Sequence, residues 1–244
     1  MMTSSSPPGM TPEISQREKV RALQAQLRKP SFQTRSQPLL SSPVLESVLP
    51  GGRLQEGSLV ELLSACPGAG ACELAFQMVK QLQQERLTPV LIDSDREFFA
   101  PGAAQLGIDL ERLIVVRTRS LSEQLWAIEQ TLRCEGRTVL LSLLERIPAN
   151  TYRRLKLAAE RGKGIGLFWR TASLRTSPSW ADHRLLIEPA PSPSRSRRYK
   201  VTALNSTEGT SSHSMLECCH DSGALSVVPQ LAHPKTSATV SYAS

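Results

Sequence analysis

Two short stretches of this sequence carry residue types that could do chemistry. The first is the turn Ser64-Ala-Cys-Pro-Gly-Ala-Gly-Ala71, followed by Cys72 and Glu73. A glycine turn between a strand and a helix can cradle phosphate with its backbone N–H groups. The full pattern is G-x-x-x-x-G-K-[ST], in which the Lys reaches the β/γ-phosphates and the hydroxyl ligates Mg²⁺. With Gly70 as the second glycine, Gly68 falls inside the loop and Ala65 takes the first glycine position. Ala71 then stands where the Lys belongs and Cys72 where the hydroxyl belongs. Gly162-Lys163 does not restore the motif, because Gly164 follows it. A missing Lys removes a charge-assisted hydrogen bond of about 1.5–3 kcal/mol. Sulfur is a poor ligand for a hard cation that prefers oxygen. Glu73 suits the helix dipole and repels an anion. The turn is expected to close the fold without holding a triphosphate.

The second stretch is Asp93-Ser94-Asp95, at the end of the apolar run Val90-Leu91-Ile92. Two such carboxylates could activate water or hold a metal. With no Lys or hydroxyl partner, the simpler expectation is that they mark a strand's exit into solvent. Cys72, at a helix N-terminus, has an analogous reading as an activated thiol; a small loop residue is the plainer one. Basic residues form two clusters. One is Arg153, Arg154, Lys156, Arg161 and Lys163; the other is Arg195, Arg197, Arg198 and Lys200. A solvated charged face explains either alone. Together with Arg175 they suggest contact with a nucleic-acid backbone, without sequence readout because aromatics are scarce.

Composition sets the outer bounds. The chain has 244 residues and a formal net charge of +7, which fits nucleic acid or an acidic protein surface as partner. Its five cysteines show no C-x-x-C spacing and no neighbouring His pair, so free thiols in a reducing compartment are expected, with no zinc. The start has no apolar core of a signal peptide, and no apolar run reaches membrane-spanning length. A cytoplasmic protein without membrane association is expected.

The elements that must position these residues follow from periodicity. Leu59 to Leu63 reads as a strand buried on both faces, and Leu74, Ala75, Met78, Val79 and Leu82 recur at helical spacing. With Val90–Ile92 they make a βαβ unit whose two strands should be parallel neighbours. A short helix closed by Gly107 follows. Further strands are expected at 113–117, 139–144, 165–169, 184–188 and 199–204. Helices are expected after an Ser122 cap and an Asn150 cap. Alternating βα units and then helix-free strands describe an α/β fold, a mostly parallel central sheet with antiparallel edge strands. The turn Asp221-Ser-Gly223 should join a last hairpin. The plan is therefore a leader (1–42), a core (43–205), a β-hairpin extension (206–234) and a disordered tail (235–244). Within the leader, Glu13 to Arg28 is a charged helix candidate with Val20, Leu23 and Leu27 as an apolar stripe, suited to docking on a partner.

The order GRLQEGSLVELLS, turn, helix, TPVLIDSD, AAQLGIDLERLIVVR and SLSEQLWAIEQ resembles the core of RecA recombinases. PGAGACELAF, IDSDREFFAPGAAQLGIDLERLIVV and RTASLRTSPSWADHRLLIEP are more closely similar to the ImuA family, RecA-like accessory proteins of bacterial damage-induced translesion DNA synthesis. The resemblance covers about residues 43 to 230. It implies a RecA-like P-loop NTPase fold with a degenerate nucleotide loop, a pseudo-ATPase of the SOS response. Ala71-Cys72 replaces Lys-Thr, Asp95 stands where a water-activating Glu belongs, and Ser142 stands where a Mg²⁺-associated Asp ends the fourth strand. The mobile DNA-binding loop is reduced to Ala172–Ala181, keeping Arg175 and gaining Trp180. The resemblance implies no cofactor, with RecA and an ImuB-like Y-family polymerase subunit as partners and DNA as a further contact. Two rival readings remain open at this level, an ATP-dependent DNA-binding ATPase with an atypical loop and a SulA-like cell division inhibitor.

Overall fold

The computed structural model describes residues 43–49, 54–145, 147–192, 196–204, 213–219 and 223–229. Val20, Leu23, Leu27 and Arg195, and with them the leader, the tail and the Asp221–Ser222 part of the hairpin turn, lie outside the described residues.

Among the described residues nine strands run in chain order as β1 (Leu59–Ser64), β2 (Thr88–Ile92), β3 (Ile114–Val116), β4 (Thr138–Leu143), β5 (Ile165–Thr171), β6 (His183–Ala190), β7 (Arg197–Ala203), β8 (His213–Cys218) and β9 (Leu225–Val227). Five α-helices among the described residues accompany them: α1 (Pro43–Val48), α2 (Ala71–Gln84), α3 (Ala100–Gln105), α4 (Leu121–Arg133) and α5 (Ala149–Gly162). The strands form one sheet ordered β3-β2-β4-β5-β1-β6-β7-β8-β9. Pairings from β3 across to β6 are parallel, and those from β6 to β9 are antiparallel. The α/β class, the mostly parallel centre and the antiparallel edge are thus as the periodicity predicts. No helix among the described residues is long and apolar enough to cross a membrane.

The strand expected beside β1 is displaced. β1 and β2 are parallel but not neighbours, because β4 and β5 lie between them. α2 spans that gap, and strands encoded later in the chain fill it. Strand connections β1–β2 and β2–β3 move one way along the sheet, while β3–β4 and β4–β5 move back. With right-handed crossovers this puts the helices on opposite faces. Val60 and Leu62 accordingly pack with Leu74, Met78 and Leu82 of α2, and Leu59 packs with Ile128, Leu132 and Leu155 of α4 and α5.

Two caps also differ from expectation. α4 is capped by Ser120, not Ser122: its hydroxyl accepts the Glu123 N–H at 3.2 Å, while the Glu123 carboxylate accepts the Arg119 N–H at 2.8 Å. This reciprocal arrangement satisfies two N-terminal donors at once. α5 begins after Pro148, so Asn150 lies within its first turn and accepts the Thr151 N–H at 2.7 Å.

The centre of β1 is not apolar. Glu61 is fully buried on the α5 face of the sheet. One oxygen accepts the Tyr152 hydroxyl at 2.8 Å and an Nη1 hydrogen bond from Arg170, and the other accepts Arg184 Nε at 2.6 Å. Arg170 also donates to the carbonyls of Leu144 and Glu145, and Arg184 to those of Leu174 and Arg175. One carboxylate therefore ties the end of β4 and the 3₁₀ turn Ala172–Thr176 to the middle strand. Burying two guanidinium groups beside one carboxylate is tolerable because each also donates to two backbone carbonyls.

Candidate functional site

Ligands of open α/β sheets bind beyond the carboxyl ends of the strands, where connections diverge to opposite faces. Here that position is a cleft of about 830 Å³ at the ends of β1, β2, β4 and β5. The turn with Gly68, Gly70, Ala71 and Cys72 forms one wall, and Asp93 and Asp95 form part of another. The structure thus brings both chemistry-bearing stretches to one cleft. Much of the rest of the lining is apolar, including Phe76, Phe98, Phe99, Leu143 and Trp169.

The turn is closed from behind. Gly70 has φ +95°, a conformation glycine adopts without penalty, and a Cβ there would overlap the Tyr199 ring. Tyr199 lies on β7, only 2% exposed, and the sequence shows no sign that it packs on this turn. Burial, then the Glu73 carboxylate, pushes its phenol up to about 12. Glu73 sits in the first turn of α2 and pairs with Arg197 of β7 at 2.6 Å. The helix N-terminus that would face a phosphate already has a side-chain carboxylate, held by its own guanidinium.

Cys72 is no activated thiol. Burial pushes it up to about 12, and Glu73 adds to the shift, so the thiolate is scarce at neutral pH.

The acidic stretch divides by role. Asp93 is buried; its Oδ1 accepts the Glu97 N–H at 3.0 Å and so shapes the turn after β2. Its Oδ2 stands 3.7 Å from Arg117. Asp95 is exposed at the cleft mouth. Ser142, placed by resemblance at a metal-associated position, faces away from the cleft. It is fully buried against α4, where the Gln124 amide donates to its hydroxyl at 3.1 Å. Side chains alternate along a strand, so its neighbours Leu141 and Leu143 line the cleft instead. Among the described residues no three His, Cys, Asp or Glu side chains stand together as a metal site.

The basic residues are dispersed. Arg154 grips Glu129 through Nε at 3.1 Å and Nη2 at 2.5 Å. Lys156 pairs with Asp182 at 2.7 Å and donates to the Gly57 carbonyl at 3.1 Å, fastening α5 to the start of β1. Arg198 stands 3.5 Å from Glu217, Lys200 3.7 Å from Glu188 and Lys163 3.9 Å from Glu56. Arg153 lies 5.7 Å over the exposed Trp180 ring, a cation–π distance. Arg175 and Arg161 are exposed. Arg197 is engaged with α2, whereas Arg153 and Arg154 belong to α5 on the opposite face.

No family model matches the chain. Two curated relatives do, both Protein ImuA of Caulobacter vibrioides, from strains NA1000/CB15N and ATCC 19089/CB 15. Each is 31% identical over 137 residues, covering 53% of this chain and 56% of the relative. The chain therefore spans about half the length of the curated relatives it matches. Over that matched part, the chain is a homologue of the ImuA proteins.

Proposed function

We propose that this chain is a non-catalytic, RecA-like accessory protein of the DNA-damage response and translesion synthesis, acting through protein contacts. One observation carries the non-catalytic reading: the cleft where a nucleotide would sit presents Ala71, Cys72 and Leu143 in place of phosphate- and metal-holding groups. A carboxylate occupies the adjoining helix end. Strand order and the position of the glycine turn support a RecA-like, P-loop-derived arrangement. The similarity to ImuA supports the pathway. An ImuB-like Y-family polymerase subunit and RecA are the partners this reading expects. Contact with DNA would fall to Arg153, Arg161 and Arg175, whose side chains are exposed.

The experiment is co-purification of the full chain with RecA and with an ImuB-like polymerase subunit, with and without DNA. Stable association with at least one of them is expected. Association with neither, at concentrations of tens of micromolar, contradicts the reading. Leu23→Asp with Leu27→Asp tests whether the leader stripe carries the contact. Weakening of tenfold or more assigns it that role, and unchanged binding removes it.

A further inference from the structure

We propose that the cleft is a docking site for a partner-protein segment that inserts an apolar side chain and sets a Lys or Arg beside it. The inference rests on the reading that no nucleotide fills this space. Much of its lining is apolar, with Phe76, Phe98, Leu143 and Trp169 around a volume in the range of drug-sized ligand pockets, and its one lining arginine, Arg197, is already paired with Glu73. Phe99, at the mouth, is 69% exposed, and one large exposed ring beside an open apolar cleft fits a surface that is covered in a complex.

Charge selects the partner further. Asp95 and Glu97 are exposed at the mouth. Neither side chain is paired among the described residues. Asp93 supplies the sharper observation. Its side chain is 7% exposed, and its Oδ2 receives no hydrogen bond, with only the Arg117 guanidinium at 3.7 Å. A buried carboxylate oxygen without a donor is costly, and a ligand N–H or ammonium group would complete it. An anionic ligand would meet Asp93, Asp95 and Glu97 together. A neutral N–H could serve Asp93 Oδ2, but only a cation also offsets the exposed charges of Asp95 and Glu97. An apolar anchor with a cationic neighbour satisfies both the walls and the mouth, as interface anchors do elsewhere.

The test uses the full chain and a short synthetic amphipathic peptide of Leu and Lys, followed by tryptophan fluorescence, since Trp169 lines the cleft. Saturable binding is expected. Phe99→Ala, and separately Asp95→Lys with Glu97→Lys, should each weaken it tenfold or more. All three positions are exposed, so the fold is retained. A Leu/Glu peptide should not bind. Equal binding of both peptides, or no effect of either variant, overturns the proposal. A gain in affinity of tenfold or more on replacing Val20, Leu23 and Leu27 by Asp also overturns it, because the chain's own leader is then the occupant. Mg-ATP is the remaining arm. Displacement of the peptide by Mg-ATP contradicts the non-catalytic reading itself, whereas absence of both peptide and Mg-ATP binding sinks only the docking proposal.

Discussion

Glu61→Ala is expected to lower the unfolding free energy by about 3–5 kcal/mol at neutral pH, the range for breaking a buried ion pair by removing one partner. The cost comes from what remains. Arg170 and Arg184 would stay buried, at 4% and 9% side-chain exposure, with no carboxylate between them. The Tyr152 hydroxyl would lose its acceptor. The effect should depend on pH with a definite sign. Burial acts to raise the Glu61 pKa, but Arg170, the Tyr152 hydroxyl and Arg184 more than offset it and hold the carboxyl below its ordinary value. A depressed folded-state pKa contributes stability above the unfolded-state value, about 4.3, and loses it as pH falls through the lower folded value. Urea midpoints for wild type and Glu61→Ala should therefore lie far apart at neutral pH and converge in acid. A variant as stable as wild type at neutral pH would show that the charge network is dispensable.

Gly162→Ala is the second large effect. Gly162 ends α5 against the last turn of α4. A Cβ there would fall on the Leu132 carbonyl oxygen and stand 2.8 Å from Arg133 Cα. Both are backbone atoms and cannot rotate aside, so the two helices must separate. Overpacking of this kind costs roughly 3 kcal/mol, the upper part of its usual range. Gly68→Ala is the matched control: nothing lies within 4 Å of its Cβ position, and its φ of +78° alone sets a cost of about 1 kcal/mol. Thermal unfolding should rank the two in that order. The reverse ranking would mean that backbone strain in the glycine turn outweighs helix packing.

The strand positions were legible from their apolar or alternating runs, and each lies within a few residues of its predicted place, but β3, whose run reads as a buried strand, is an edge strand with Ile114 exposed. Adjacency was not legible, since β1-α2-β2 reads the same whether its strands touch or admit β4 and β5 between them. Ser142 illustrates the limit set by a period of two. A resemblance places a residue on a strand, but one position decides which face it serves, and the cleft received Leu141 and Leu143. Glu61 was hidden inside an otherwise apolar run. Its signal was present all the same, a lone acid in a buried strand with Arg170 and Arg184 on two later strands. Tyr199 could not be foreseen, because its contact with Gly70 joins the first strand's turn to the seventh strand. Both cap shifts have local causes: Ser120 has Glu123 three residues on, and Pro148 presets the backbone two residues before Asn150.

Titration of the full chain with Mg-ATP, by calorimetry with a parallel assay for released phosphate, tests the non-catalytic reading most directly. The prediction is no saturable heat up to millimolar nucleotide and no phosphate release above background. Micromolar binding, with hydrolysis abolished by Asp95→Ala, would contradict it and make the protein an ATPase with an atypical loop.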